Sequence, residues 1–152
     1  MAKTEYLINT TPDRVFAVLA DGWTYSDWVV GTAHIRAVDR GYPAPGTALH
    51  HKVGPWPFSI ADKSVVLDCE QDRMLLLRIR LWPMGEGRVR LDLAPAGASA
   101  TRVTMIEYFP AGPTRLLHTR VSDIALHWRN KESLRRLADL ATRRAADRAH
   151  QR

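Results

Sequence analysis

Residues 74–93 read MLLLRIRLWPMGEGRVRLDL. Leu75, Leu77, Ile79 and Leu81 alternate with Leu76, Arg78 and Arg80. After a break from Pro83 to Gly87, Val89, Leu91 and Leu93 alternate with Arg88, Arg90 and Asp92. A period of two puts each set on one face, so the stretch predicts two antiparallel strands with one apolar and one wet face. The pattern extends outward from Thr32 to Phe109. Its runs are His34–Asp39, Ala48–Val53, Ser59–Asp68, Met74–Leu81, Val89–Leu93 and Arg102–Phe109. Turn signals separate them, among them residues 41–46 (Gly-Tyr-Pro-Ala-Pro-Gly), 54–57 (Gly-Pro-Trp-Pro) and Gln71-Asp72. The sequence therefore predicts a series of hairpins.

Helical signals flank the hairpins. A short strand, Lys3–Ile8, precedes Thr10-Thr11-Pro12-Asp13, where Thr11 suits a cap, Pro12 the first helical position and Asp13 the positive helix end. Val15, Phe16 and Leu19 share a stripe, Asp21-Gly22 stops the helix, and a further helical turn is expected around Tyr25 to Trp28. A long helical pattern runs from about Leu116 to Ala146 with no internal Pro or Gly. Leu117, Val121, Ile124 and Trp128 form one stripe, and Leu134, Leu137 and Ala141 another, roughly 120° around the helix. The helix is thus expected to kink near Arg129–Lys131 or to change its burial partner. The fold class is α+β. A curved antiparallel sheet of seven strands, wrapped around the long C-terminal helix with one or two short helices after the first strand, would bury the apolar face.

Composition narrows the classes. The length of 152 residues is that of one domain, expected over residues 1–152, and 45% apolar with 25% charged residues is a globular balance. The longest strongly apolar run, Met74 to Leu77, is too short for a membrane span, and the N-terminus carries no apolar signal segment. Cys69 is the single cysteine, so no internal disulfide or Cys-based zinc site is possible. A cytoplasmic protein is expected. The net charge is +6, of which residues 116–152 carry +5, from nine Lys/Arg against four Asp/Glu.

The order of elements and several motifs resemble the START-like, or SRPBCC, superfamily, which includes birch-pollen-allergen-like and polyketide cyclase/dehydrase-like proteins. The residues that carry the resemblance are Ile8-Asn9-Thr10-Thr11-Pro12-Asp13-Arg14-Val15-Phe16, Trp28 with the run Val29 to Val38, Pro45-Gly46-Thr47, Thr101-Arg102-Val103-Thr104, and Arg129-Asn130 with Ser133 to Leu137. The resemblance covers essentially the whole chain. It implies the helix-grip fold, with a cavity between sheet and helix that holds an apolar molecule. The same fold hosts cyclases, transporters and binders, so it does not choose an activity.

Strand alternation nominates the cavity wall. If Arg78 and Arg80 face water, Leu77 and Ile79 face inward, with Leu91 on the next strand. If Arg102 points out, Val103, Met105, Glu107 and Phe109 point in. A carboxylate facing an apolar interior is costly unless paired or protonated, so Glu107 is the candidate acid/base or ligand anchor; the alternative is a Glu paired with an Arg. Trp28, Ile124 and Trp128 are the helical candidates for the wall, and Trp56 and Trp82 stand beside prolines where a mouth or a filled corner would lie.

No metal or other cofactor is expected. His50 and His51 are adjacent on a strand and face opposite ways, His118 and His127 are nine apart on a helix, and no chelating spacing exists. One of His34, His50 and His51 remains available for a single polar contact in a pocket. No nucleophile elbow, phosphate loop or dinucleotide fingerprint occurs, and the acidic neighbours of Cys69 blunt its thiol. The basic helix is interrupted by Glu132, Asp139 and Asp147, so nucleic acid is not expected. Three readings stand: a polyketide cyclase/dehydrase-like protein binding a small hydrophobic or aromatic molecule, a non-catalytic lipid or metabolite carrier, and a partner-binding protein acting through the basic helix. A monomer or a homodimer is expected.

Overall fold

The alternating runs form the strands they predict. In a computed structural model describing residues 1–53, 60–81, 85–108 and 120–151, the chain runs β1 (Ala2–Ile8), α1 (Pro12–Leu19), a 3-10 turn (Gly22–Thr24), α2 (Tyr25–Trp28), β2 (Thr32–Val38), β3 (Ala48–Val53), β4 (Ile60–Glu70), β5 (Met74–Leu81), β6 (Gly85–Pro95), β7 (Thr101–Tyr108) and α3 (Arg120–His150). The strands make one antiparallel sheet in the order β1-β7-β6-β5-β4-β3-β2. Irregularities of register between β2 and β3 and between β4 and β5 bend the sheet, because an extra residue on one strand increases the local twist.

Two expectations change. β6 starts at Gly85, inside the residues expected to break the sheet, since Gly85, Glu86 and Gly87 pair with Leu81, Arg80 and Ile79. Ladder bonds belong to the backbone, so a glycine-rich segment extends a strand that its side chains do not announce. The long helix is one element from Arg120 to His150, past the expected end at Ala146, and its burial changes along its length: Ile124 and Trp128 are exposed whereas Leu134, Leu137 and Ala141 are buried.

The sheet's inner face packs on α1 and α3. Val15, Phe16, Val18 and Leu19 of α1 meet Leu134, Leu137, Ala138 and Ala141 of α3 and the inward row Leu75, Leu77, Leu91, Leu93, Val103 and Met105. Pro12 begins α1 as expected, with Thr11 at the cap position, although no side chain there caps a backbone N–H. Gly22 begins the next turn for a steric reason: a Cβ there would lie 2.3 Å from Leu49 Cδ2, itself fully buried. Asp39 and His50 close the wet face of the β2–β3 hairpin with a contact of 2.8 Å. This leaves His51 on the inner face, as alternation requires.

Candidate functional site

The core does not fill the whole space under the sheet. Leu77 and Ile79 of β5, Leu91 of β6, Met105 of β7 and Trp28 of α2 line a cavity of about 120 Å³ against α3. Apolar surface dominates its wall, and the space suits about one aromatic ring. It opens beside the exposed residues Gly31 and Arg80. The segment after α2 is tied to α3 by the Val30 N–H, which donates to Ser133 Oγ at 3.0 Å. That bond holds Trp28 and Val29 over the cavity while leaving their apolar groups toward it.

Two polar clusters interrupt the apolar wall. The first centres on Glu107, which is 2% exposed. Its Oε1 accepts from Arg129 Nη2 at 2.5 Å and its Oε2 accepts from Asn130 Nδ2 at 2.9 Å. Arg129 also donates from Nη2 and Nε to Asn130 Oδ1, at 3.1 and 3.3 Å. The three side chains form a closed ring in which the buried carboxylate has a charged partner and a neutral one. About a third of the Arg129 side chain is exposed, so the guanidinium spans from the cavity wall to solvent. The cluster exists because alternation turns Glu107 inward and Arg129-Asn130 lies on the facing turn of α3.

The second cluster is on β3 and β4. His51 Nε2 lies 2.9 Å from Ser64 Oγ, and both residues are buried and line the cavity. They are diagonal neighbours in the ladder, since His51 pairs with Asp62 and Ser64 with Leu49. The imidazole stacks on Tyr25, with centroids 6.0 Å apart and planes at 20°, and Tyr25 meets Trp28 edge-on at 5.4 Å. Burial pushes the His51 imidazole below its ordinary range, outweighing the opposite pull of Asp62. Burial likewise pushes the Tyr25 phenol up, so it stays protonated. His51 Nδ1 is buried without a hydrogen-bond partner, the one such side-chain atom among the described residues.

The structure distributes the sequence candidates unevenly. Trp28, Leu77, Ile79, Leu91, Met105 and Glu107 meet at the cavity. Val103 points inward but is sealed in the core beside the cavity rather than lining it. Ile124 and Trp128 are 62% and 74% exposed, so these two expectations are corrected. Helical phase is the reason: burying Asn130, Leu134, Leu137 and Ala141 turns Ile124 and Trp128 roughly 120° away. Trp56, Trp82 and Phe109 lie outside the described residues. Of the three histidines open to a pocket contact, His51 is the one at the cavity, whereas Tyr25, Ser64, Arg129, Asn130 and Ser133 were not singled out as cavity residues, although an inward Glu107 already called for a partner.

Other chemistry finds little footing. No three His, Cys, Asp or Glu among the described residues are placed to hold a metal ion. Burial first, then Asp68, pushes the Cys69 thiol up. Several basic residues of α3 are engaged within the chain: Arg135 and Arg136 with Glu132, Arg135 with Asp139, and Arg144 with Asp21 of the α1–α2 connection. No helix among the described residues is long and apolar enough to cross a membrane.

Comparison with known proteins agrees with this architecture. Solved structures share the fold at low identity. Protein NE0264 from Nitrosomonas europaea superposes with a TM-score of 0.73 at 16% identity, covering 95% of each chain. The Zhui aromatase/cyclase from Streptomyces sp. R1128 gives 0.72 at 16% identity, over 95% of this chain and 94% of that one. Ara h 8.0201 gives 0.67 at 13%, over 92% and 95%. No curated protein sequence matches the chain. The family described as "Polyketide cyclase / dehydrase and lipid transport" matches residues 2–142, nearly the full length, and the chain belongs to that family.

Proposed function

We propose that the protein binds a small, largely apolar molecule in the cavity between its sheet and α3. The observation that carries this reading is the cavity itself: an apolar wall with a few convergent polar groups, in a family named for polyketide and lipid handling. Glu107 acts as a positioning residue. Both of its oxygens are engaged, so it holds Arg129 and Asn130 at the wall, where the guanidinium is available to a carbonyl or hydroxyl oxygen of the ligand. A turnover reading draws support from the likeness to an aromatase/cyclase. In it the cavity fixes one conformation of a polyketide-like chain for ring closure and dehydration, and Glu107 is the acid/base group.

The test is methyl NMR with toluene as the probe. Shifts confined to the Leu77, Leu91 and Met105 methyls, with Val15 and Val18 in the α1 core unmoved, are the expected result. Ile79→Trp should fill the cavity and abolish them. Unmoved cavity methyls at saturating toluene would overturn the reading. Conversion of an enolisable polyketide mimic by wild type and not by Glu107→Gln would favour turnover with Glu107 as its acid/base group, whereas binding without conversion by either would favour a binder.

A further inference from the structure

The cavity has a polar group that the positioning of Arg129 does not use. His51 is 5% exposed, lines the cavity, and has one ring nitrogen bonded and one bare. The two neutral tautomers differ in cost. With hydrogen on Nε2, the ring donates to Ser64 Oγ and Nδ1 keeps an unshared lone pair. With hydrogen on Nδ1, a buried N–H has no acceptor, which is the more expensive defect. The first tautomer is therefore the resting one, and it presents a hydrogen-bond acceptor lacking a donor.

Buried polar atoms in folded proteins are almost always satisfied, so an orphan beside a cavity calls for a partner that enters the cavity. Its surroundings specify that partner. Tyr25 stacks on the imidazole and Trp28 stands edge-on to Tyr25, so an aromatic corner frames the acceptor. The space suits one ring. We propose that His51 Nδ1 is a specificity-determining acceptor for a ligand hydroxyl, so that the cavity selects hydroxylated rings of the phenol class over their unsubstituted or O-methylated analogues. This rests on the cavity being the binding site and adds what the site distinguishes there. Ser64 is a positioning residue: by accepting from Nε2 it fixes which nitrogen is bare.

The experiment compares phenol, anisole and toluene as probes, with affinities read from the Leu77 and Met105 methyl shifts and the His51 ring nitrogens followed by ¹H–¹⁵N correlation. Phenol is expected to bind about five-fold or more tightly than anisole, the worth of one neutral hydrogen bond, and to move the Nδ1 resonance where anisole does not. His51→Gln, whose amide can replace Nε2 toward Ser64 but offers nothing at the Nδ1 position, should bring the phenol-to-anisole ratio to about one. The nitrogen shift in wild type needs no variant to fold. Equal affinities for phenol and anisole, with the cavity methyls shifting for both, would overturn the proposal and leave the binding reading intact. Failure of all three probes to shift the cavity methyls would overturn both.

Discussion

The two ends of α3 are the same helix put to different uses. From Asn130 to Ala141 it is the inner wall of the molecule: Leu134, Leu137 and Ala141 are fully buried and Asn130 holds Glu107. From Asp123 to Trp128 it carries residues at least as apolar, yet Ile124 and Trp128 face solvent. Hydrophobicity therefore does not orient the helix. The residues that must meet the sheet set its phase, and an unbroken helix propagates that phase one turn after another. The upstream apolar stripe is left where the geometry puts it.

The strongest way to break this contrast is to truncate one residue from each end. Leu137→Ala should cost about 2–4 kcal/mol in denaturant unfolding, the sum of lost transfer energy and a cavity, whereas Trp128→Ala should stay within about 0.5 kcal/mol. Equal losses would mean that Trp128 is packed after all. Asn130→Ala probes the junction. It leaves Glu107 Oε2 without its partner and should cost about 1–2 kcal/mol, and it should weaken ligand binding, because Arg129 loses the amide that aligns it.

The sequence showed the sheet side of the site far better than the helix side. Along a strand each inward residue fixes the next but one. Alternation alone therefore aimed Leu77, Ile79, Leu91, Met105 and Glu107 correctly, and only the depth of Val103 escaped it. On the helix two stripes competed, and apolarity favoured the wrong one. The deciding signal was polar: Glu107 facing inward needs a donor, and Arg129-Asn130 supplies two. His51 was equally legible, since Leu49 and His51 share a face and a buried Leu49 drags the imidazole inside. What no pattern in the sequence announces is the β6 extension through Gly85 and Gly87, where the backbone pairs without side-chain help.

Acid sharpens the contrast further. His51 sits below its ordinary 6.5 when folded, so above pH 6.5 both states are neutral and nothing is lost. As the pH falls below 6.5, the unfolded chain takes a proton that the folded one resists, and stability declines until the folded value is passed. Urea midpoints measured against pH should show this fall in wild type and in Trp128→Ala, and a shallower one in His51→Gln. The smallest effect belongs to Glu132, on the wet side of the helix. Arg135 and Arg136 hold it down to about 2, so its contribution is present above its ordinary 4.5 and fades as the pH falls from there toward about 2. Being exposed, it should matter little even at low ionic strength, and Glu132→Ala should be indistinguishable from wild type in about 1 M salt.

The sheet order has a consequence in time. β1 pairs only with β7, and the register sets Ala2 beside Glu107. β1 is made before every other strand of this sheet, and its neighbour is the last of them. At typical synthesis rates of about 5–20 residues per second, it waits several seconds for its partner to be made. Meanwhile β2 to β6 emerge in order, and from β3 onward each can pair with the strand before it. The nascent protein can build most of its sheet as a growing meander, but it cannot complete the cavity wall at Glu107 and Asn130 until β7 and α3 have been made.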